Sequence, residues 1–372
     1  MRGYSLRNDA ATHGNGHAME TDSPTPSPTT QQRKAEHLRI SLGEDVASGV
    51  TSGFERFRFV HQALPECDLD TIDTTQRFLG KTLRLPLLVS SMTGGTDEAT
   101  VINQRLAEAA QRAGIALGVG SQRSAVEHPA LAETFRVRDR APDILLFANI
   151  GAIQLNEGYG VDQCRRAVEM IGADALILHL NALQEALQPE GDHRWRGLLA
   201  RIEAICRLVG VPVVAKEVGW GIAPNIARQL RAVGVAAVDV AGAGGTSWSQ
   251  VEMHRARGPM AARVAAHFVD WGIPTAECVA AVAAALPDVP LIASGGVRNG
   301  IDLAKALAFG AHLGGVALPL LKAAAESTET VCAAIDEIAA TLRVAMFGIG
   351  TPDLAALRHT PLLIRRDAPL PA

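Results

Sequence analysis

Leu291-Ile292-Ala293-Ser294-Gly295-Gly296-Val297-Arg298 is a short apolar run that breaks into two glycines and an arginine just before a helical pattern opens at Gly300. Four apolar residues bounded by glycine are too few for a helix and read as a buried strand. The figure is repeated at Gly314-Gly315-Val316-Ala317-Leu318, with an amphipathic helical stretch, 302–309, in between. A glycine-rich turn between strand and helix leaves backbone N–H groups free at a helix N-terminus, where an anion is favoured. Such turns after the last two strands are the recurrent phosphate site of one architecture, the (β/α)8 barrel.

Outward from this stretch, apolar runs and helical patterns alternate about eight times. The strand candidates are 87–91, 115–119, 145–150, 175–180, 213–218, 236–241, 291–294 and 314–318. Helices are expected between them, among others over 103–113, 195–208, 224–233 and 302–309. Strands alternating with amphipathic helices imply a parallel sheet, and eight units favour closure into a barrel. The expected fold is therefore α/β, a (β/α)8 TIM barrel with an N-terminal cap segment. Residues 33–84 open with what reads as a short helix at 33–37, and the polar, irregular segment that follows reads as a cap over one barrel mouth. Residues 1–32, with Thr-Asp-Ser-Pro-Thr-Pro-Ser-Pro, cannot bury apolar area and are expected to be disordered. The barrel with its cap then fills 33–372. A long irregular stretch, about 244–274, exceeds ordinary βα loops and is expected to be functional.

Composition bounds the function. The 372 residues are 48% hydrophobic, hold 35 glycines and only 4% aromatics, and carry a net charge of −4. That balance suits buried parallel strands and argues against a nucleic-acid partner. Five scattered cysteines without CxxC spacing indicate reduced thiols rather than disulfides or structural zinc. No apolar run approaches the roughly 20 residues of a membrane helix, so no membrane insertion and a cytoplasmic location are expected.

The unusual residues gather after strand ends, the face where barrels place chemistry. Ser91-Met92-Thr93-Gly94-Gly95-Thr96 lets backbone approach a planar ring or an anion, or is simply a tight turn. Gly120-Ser121-Gln122-Arg123 combines hydroxyl, amide and guanidinium into a plausible phosphate site. Asn149 ends an apolar run and must either cap backbone or read a ligand edge. His179-Leu180-Asn181-Ala182-Leu183-Gln184-Glu185 puts His179 and Asn181 on one strand face, with Gln184 and Glu185 above. This cluster offers proton transfer, orientation and one oxygen ligand for Mg2+, which would need substrate phosphates to complete its shell. The plainer reading of Glu185 is an acid favoured by a helix dipole. Lys216, embedded among apolar residues, needs an anion, an electron-rich ring or a Schiff base.

Taken in order, Arg33-Lys34-x-x-His37, Met92-Thr93-Gly94-Gly95, Gly120-Ser121-Gln122-Arg123, His179-Leu180-Asn181-x-x-Gln184-Glu185 and Gly244-Gly245-Thr246-Ser247-Trp248 resemble the type 2 isopentenyl-diphosphate isomerases. The resemblance spans about nine-tenths of the chain. It implies FMN, Mg2+ and NADPH as the reductant of the flavin, and a small diphosphate substrate whose double bond is shifted. It implies FMN contacts from Ser91, Met92, Thr93, Ser121, Asn149, Lys216, Thr246, Gly295, Gly296, Val297, Ala317 and Leu318. Substrate contacts are implied for Arg33, Lys34, His37, Ser121, Gln122, Arg123 and Gln184. His179, Asn181 and Gln184 would be catalytic, with Glu185 on the metal. A homo-oligomer, tetramer or octamer, is expected. Ala241 departs from the family pattern, in which many members carry Ser. Two other readings stand beside this one. A hydroxy-acid oxidase of the same fold would need a strand-end His–Arg pair for a carboxylate. A non-catalytic flavin- or phosphate-binding barrel would have no use for the His179–Glu185 cluster.

Overall fold

The computed structural model describes residues 30–371. Eight parallel strands close into a barrel: β1 (Leu87–Val89), β2 (Ala116–Gly118), β3 (Leu146–Gly151), β4 (Ala175–Leu180), β5 (Val213–Glu217), β6 (Ala237–Asp239), β7 (Leu291–Ser294) and β8 (Leu313–Val316). Their order around the ring is their order in the chain, with β8 paired to β1 through Gly314–Leu87. All eight expected strands are found. Several end sooner than expected because the chain leaves the ladder to build a turn; Ala241, for instance, already has φ 37°.

The helix after β1 is capped at both ends. Asp97–Ala113 begins at Thr96, whose hydroxyl accepts from the Ala99 N–H at 3.2 Å, and stops at Gly114 in the left-handed region, φ 66°.

Period-two alternation sorts the barrel interior into two layers. Leu88, Ala116, Phe147, Ile177, Val214, Ala237, Ile292 and Leu313 form an apolar plug, each no more than 2% exposed. Two residues further along the same strands stand Ser90, Gly118, Asn149, His179, Lys216, Asp239, Ser294 and Gly315. Every strand thus changes from apolar to polar or glycine at or near its C-terminal end. This upper ring is the floor of the site.

Residues 33–84 do more than cover one mouth. Helix α1 (Thr30–Gly43) contributes Arg33, Lys34 and His37 to the cavity on the C-terminal face. The hairpin Gln76–Phe78/Lys81–Leu83 instead adds Phe78 and Leu83 to the apolar plug and seals the opposite end. Its two-residue loop, Leu79 and Gly80, has φ of 45° and 85°, the mirror-image turn that hairpins favour. Two sequence expectations change here. Thr30–Gln32, assigned to a disordered 1–32, are the first turn of α1; the rest of that segment lies outside the described residues. The stretch 244–274 is not irregular, because it folds into α3 (Trp248–Arg255) and α4 (Pro259–Ala266), numbered after α2 (Ala182–Leu187), which follows β4. No helix among the described residues is long and apolar enough to cross a membrane, and all five cysteines are unpaired.

Candidate active site

A cavity of about 670 Å3 opens above the polar ring. Ser91, Met92 and Thr93 after β1, Ser121 and Arg123 after β2, and Asn149 on β3 line it. So do His179, Asn181, Gln184 and Glu185 from β4 and α2, Lys216 on β5, and Thr246 after β6. Gly295, Gly296 and Val297 after β7, Ala317 and Leu318 after β8, and Arg33, Lys34 and His37 from α1 complete the set.

One expected member is absent. Gln122 is fully buried and turned away from the cavity. Its amide nitrogen donates to the Ala167 carbonyl at 2.8 Å and its oxygen accepts from the Asn149 N–H at 2.9 Å, so it staples β3 to the helix Val161–Ile171. The neighbouring Ser121 and Arg123 face the cavity, and a turn cannot send three successive side chains the same way. Gln122→Ala should therefore cost about 1–3 kcal/mol of stability by leaving buried backbone groups unpaired. Thermal unfolding reads this, with substrate KM unchanged; a raised KM at unchanged stability would return Gln122 to the substrate.

The floor is electrostatically specific. Lys216 Nζ lies 3.5 Å from the Asp239 carboxylate and donates to the Glu217 carbonyl at 2.9 Å. Asp239 is held in turn by the Ser294 hydroxyl at 2.6 Å and the Ala241 N–H at 3.2 Å. The Glu217 side chain, as expected for the opposite strand face, does not meet Lys216. Its Oε2 accepts from the backbone N–H groups of Val218, Gly219, Trp220 and Gly221 and fixes the turn after β5. His179 Nδ1 lies 2.7 Å from Asn149 Oδ1. An amide oxygen only accepts, so Nδ1 carries the proton and Nε2 keeps its lone pair. Burial, with Lys216, Lys34 and Arg33 nearby, pushes the imidazole down to about 3. His179 is thus a neutral hydrogen-bonding group and no proton donor near pH 7.

The β7 and β8 turns form the cradle foreseen for phosphate. Gly295 has φ 99°, and a Cβ there would sit 2.0 Å from the Gly242 carbonyl oxygen; Gly296 has φ 74°, and a Cβ there would sit 2.5 Å from the Gly244 carbonyl oxygen. Only glycine fits where backbone packs on backbone. The helix Leu318–Glu326 starts without a side-chain cap, and its first residues face the cavity. The buried hydroxyls of Ser90 and Ser91 have no hydrogen-bond partner among the described residues.

At the mouth, positive charge is crowded. Lys34 donates to the Ser121 carbonyl at 2.5 Å and to Ser124 Oγ at 3.1 Å, and sits 4.6 Å above the Phe135 ring. Burial, reinforced by Arg33, pulls its ammonium down to about 7. Arg33 is also lowered by burial, and Arg123 is tied to Glu127 and Asp192. Cations that depress one another in a cavity are stabilised by an anion placed among them. Glu185 faces this cluster. Its Oε1 accepts from Asn181 at 2.8 Å, and its Oε2 accepts from the Asp192 N–H at 2.8 Å and from Gln188.

Sequence reasoning missed Glu252 and Arg255 on α3. Glu252 Oε1, fully buried, accepts from Gln184 Nε2 and from His37 Nε2, each at 3.0 Å. Burial raises that carboxyl, but His37 and Arg255 outweigh it and hold it below its ordinary value. The only signal was an acid and a base three residues apart inside the long loop, a spacing that surface helices also use.

The family model for FMN-dependent dehydrogenases matches residues 169–364. An isopentenyl-diphosphate delta-isomerase of Nostoc sp. is 52% identical over 348 residues, covering 93% of this chain and 99% of that protein. The isopentenyl-diphosphate delta-isomerase of Xanthobacter autotrophicus is 56% identical over 333 residues, covering 89% and 97%. The chain belongs to the isopentenyl-diphosphate delta-isomerase family. It is an isomerase of the FMN-dependent type. Solved structures of (S)-mandelate dehydrogenase (TM-score 0.65, 19% identity, 90% and 97% coverage) and of a mutant flavocytochrome b2 (0.66, 16%, 90% and 86%) share its barrel. At that identity the likeness is one of fold. The residues present fit a flavin mononucleotide: a glycine cradle for its phosphate, two unpartnered serine hydroxyls, and Lys216 with the neutral His179 beneath.

Proposed function

We propose that this enzyme interconverts isopentenyl and dimethylallyl diphosphate with reduced FMN and Mg2+, NADPH being the reductant, as a cytoplasmic homo-oligomer. The reading is carried by one observation: a single cavity joins the flavin-type glycine cradle to a crowded cationic mouth with one oriented carboxylate. Bound reduced FMN supplies acid/base groups and electron density beside the alkene. The chain's own part is binding and orientation. Arg33, Lys34 and Arg123 would take the diphosphate, because guanidinium and ammonium donors match its oxygens. Glu185 would hold Mg2+ there. No cluster of three metal-binding side chains exists among the described residues, so diphosphate oxygens and water would complete the shell. Oε1 of Glu185 keeps a lone pair beyond its hydrogen bond from Asn181, and the two hydrogen bonds on Oε2 orient the carboxylate for a cation.

Gln184 is anchored at both ends, its nitrogen on Glu252 and its oxygen accepting from Asn181 at 3.2 Å. An amide so fixed orients the substrate carbons and does not itself donate the proton, its pKa being unsuited to that task. The test is direct. Purified protein with FMN, Mg2+, isopentenyl diphosphate and NADPH or dithionite should yield dimethylallyl diphosphate, and yield none when reductant or Mg2+ is omitted. A flavin spectrum without product would move the substrate to another phosphorylated compound.

A further inference from the structure

Arg255 does not line the cavity, yet its guanidinium is heavily bonded beside it. Its side chain is 3% exposed, and its three nitrogens reach three different carboxylates. Nη1 donates to Glu252 Oε2 at 2.6 Å, Nη2 to Glu190 Oε1 at 2.6 Å and Nε to Glu36 Oε2 at 3.0 Å. Each partner belongs to a different element. Glu36 lies on α1, among Arg33, Lys34 and His37. Glu190 lies in the loop after α2 whose Asp192 N–H holds Glu185. Glu252 is the anchor of Gln184 and His37.

We propose that Arg255 is a positioning residue: its guanidinium locks α1 over the mouth and, through Glu252, sets the place of Gln184. The geometry uses what only arginine has, a planar fork with donors pointing three ways; a lysine ammonium cannot hold three carboxylates spread so widely. Toward its N-terminal end α1 is also held by Lys34, on the Ser121 carbonyl and the Ser124 hydroxyl. His37 packs edge-on against Trp248 of α3, 5.0 Å between ring centroids, so both ties of His37, to Glu252 and to Trp248, end on the helix that carries Arg255. Without the guanidinium, the buried Glu252 carboxylate loses its counter-charge and its carboxyl is pushed up. Its hold on Gln184 and His37 changes with it.

Hydrogen exchange on the holoenzyme without substrate tests this. In Glu36→Gln, which removes only the α1 arm, exchange of the amides of residues 33–43 should rise about threefold, the range for a partly exposed ion pair. In Arg255→Met the rise should exceed about tenfold, as for a truncated buried charge pair, with the barrel strands and the FMN content unchanged. With isopentenyl diphosphate, Glu36→Gln should raise KM and leave kcat, whereas Arg255→Met should also lower kcat; Arg255→Lys should recover only part. The kinetic half rests on the proposed isomerisation. The exchange half does not, so failure of the two readings can be told apart. Unchanged α1 exchange in either variant, or a rise spread equally over the barrel, overturns the proposal. If Arg255→Met does not fold, Glu36→Gln decides it alone.

Discussion

Lys216→Met should leave the purified enzyme nearly colourless and measurably less stable. The two effects have different causes, and a second variant separates them. Asp239 is wholly buried, and its counter-charge is the Lys216 ammonium 3.5 Å away. Removing one partner of a buried pair costs about 3–5 kcal/mol, because the other charge stays without compensation. For a chain of this length that is a fall in Tm of about 5 °C, taking about 2.1 cal/mol/K per residue for the unfolding entropy. The flavin effect is separate. Lys216 is the only cation on the polar floor, and a charge-assisted hydrogen bond to a bound ring contributes about 1.5–3 kcal/mol, or about 10- to 150-fold in FMN affinity. Lys216→Met with Asp239→Asn removes the stranded charge. Thermal unfolding should recover most of the loss, while visible absorbance per protein stays low. A double variant that is stable and fully yellow would show that Lys216 serves Asp239 and not the cofactor.

That lysine also marks how far sequence reading reached. Its place was legible, since a cation within Val213-Val214-Ala215 demands a partner, and so was the class of partner. Which partner it has was not. Asp239 lies 23 residues away and reads as an ordinary strand end until β5 and β6 are laid side by side. The eight strands were legible because period two, short apolar runs and glycine turns are local properties. The glycine cradle was legible for the same reason, and φ of 99° and 74° at Gly295 and Gly296 explains why these residues stand there.

What escaped is non-local. Ser121, Gln122 and Arg123 look alike in chemistry, but the turn sends the middle one back into the wall, a matter of backbone direction rather than composition. The two helices of 244–274 escaped because their cores are short and interrupted by Gly258 and Pro259. Arg255 escaped because its three partners lie on three elements, and nothing within α3 tells a buried guanidinium from a solvated one. The hairpin that seals the far end of the barrel was hidden in a polar segment, its two anchoring side chains, Phe78 and Leu83, being isolated among charges.

Glu185→Gln should lower kcat/KM for isopentenyl diphosphate by at least about 100-fold at limiting Mg2+, equivalent to about 2.7 kcal/mol of lost transition-state stabilisation. The substitution is nearly isosteric. A glutamine oxygen can still accept from the Asp192 N–H and Gln188, which keeps the covering loop in place, while its amide nitrogen replaces the acceptor that Asn181 uses. What changes is charge. A neutral amide is a poor ligand for a hard dication that prefers carboxylate and phosphate oxygens. Burial raises the Glu185 carboxyl, while Arg33 and the hydrogen bonds from Asp192 and Asn181 oppose that rise. A dication in the cavity would favour the ionised form further. The deficit should therefore shrink as Mg2+ is raised, since mass action fills a weakened site. FMN content should not move: β4 lies opposite β8 in the ring and three strands from β7, so Glu185 and the glycine cradle stand on different sides of the cavity. The decisive readout is kcat/KM against Mg2+ concentration beside the flavin spectrum. A curve superimposable on that of the unaltered enzyme would remove Glu185 from the metal and leave it the helix-start acid that the plainer reading made it. A curve displaced to high Mg2+ with the spectrum intact would place the metal at the diphosphate end, away from the flavin.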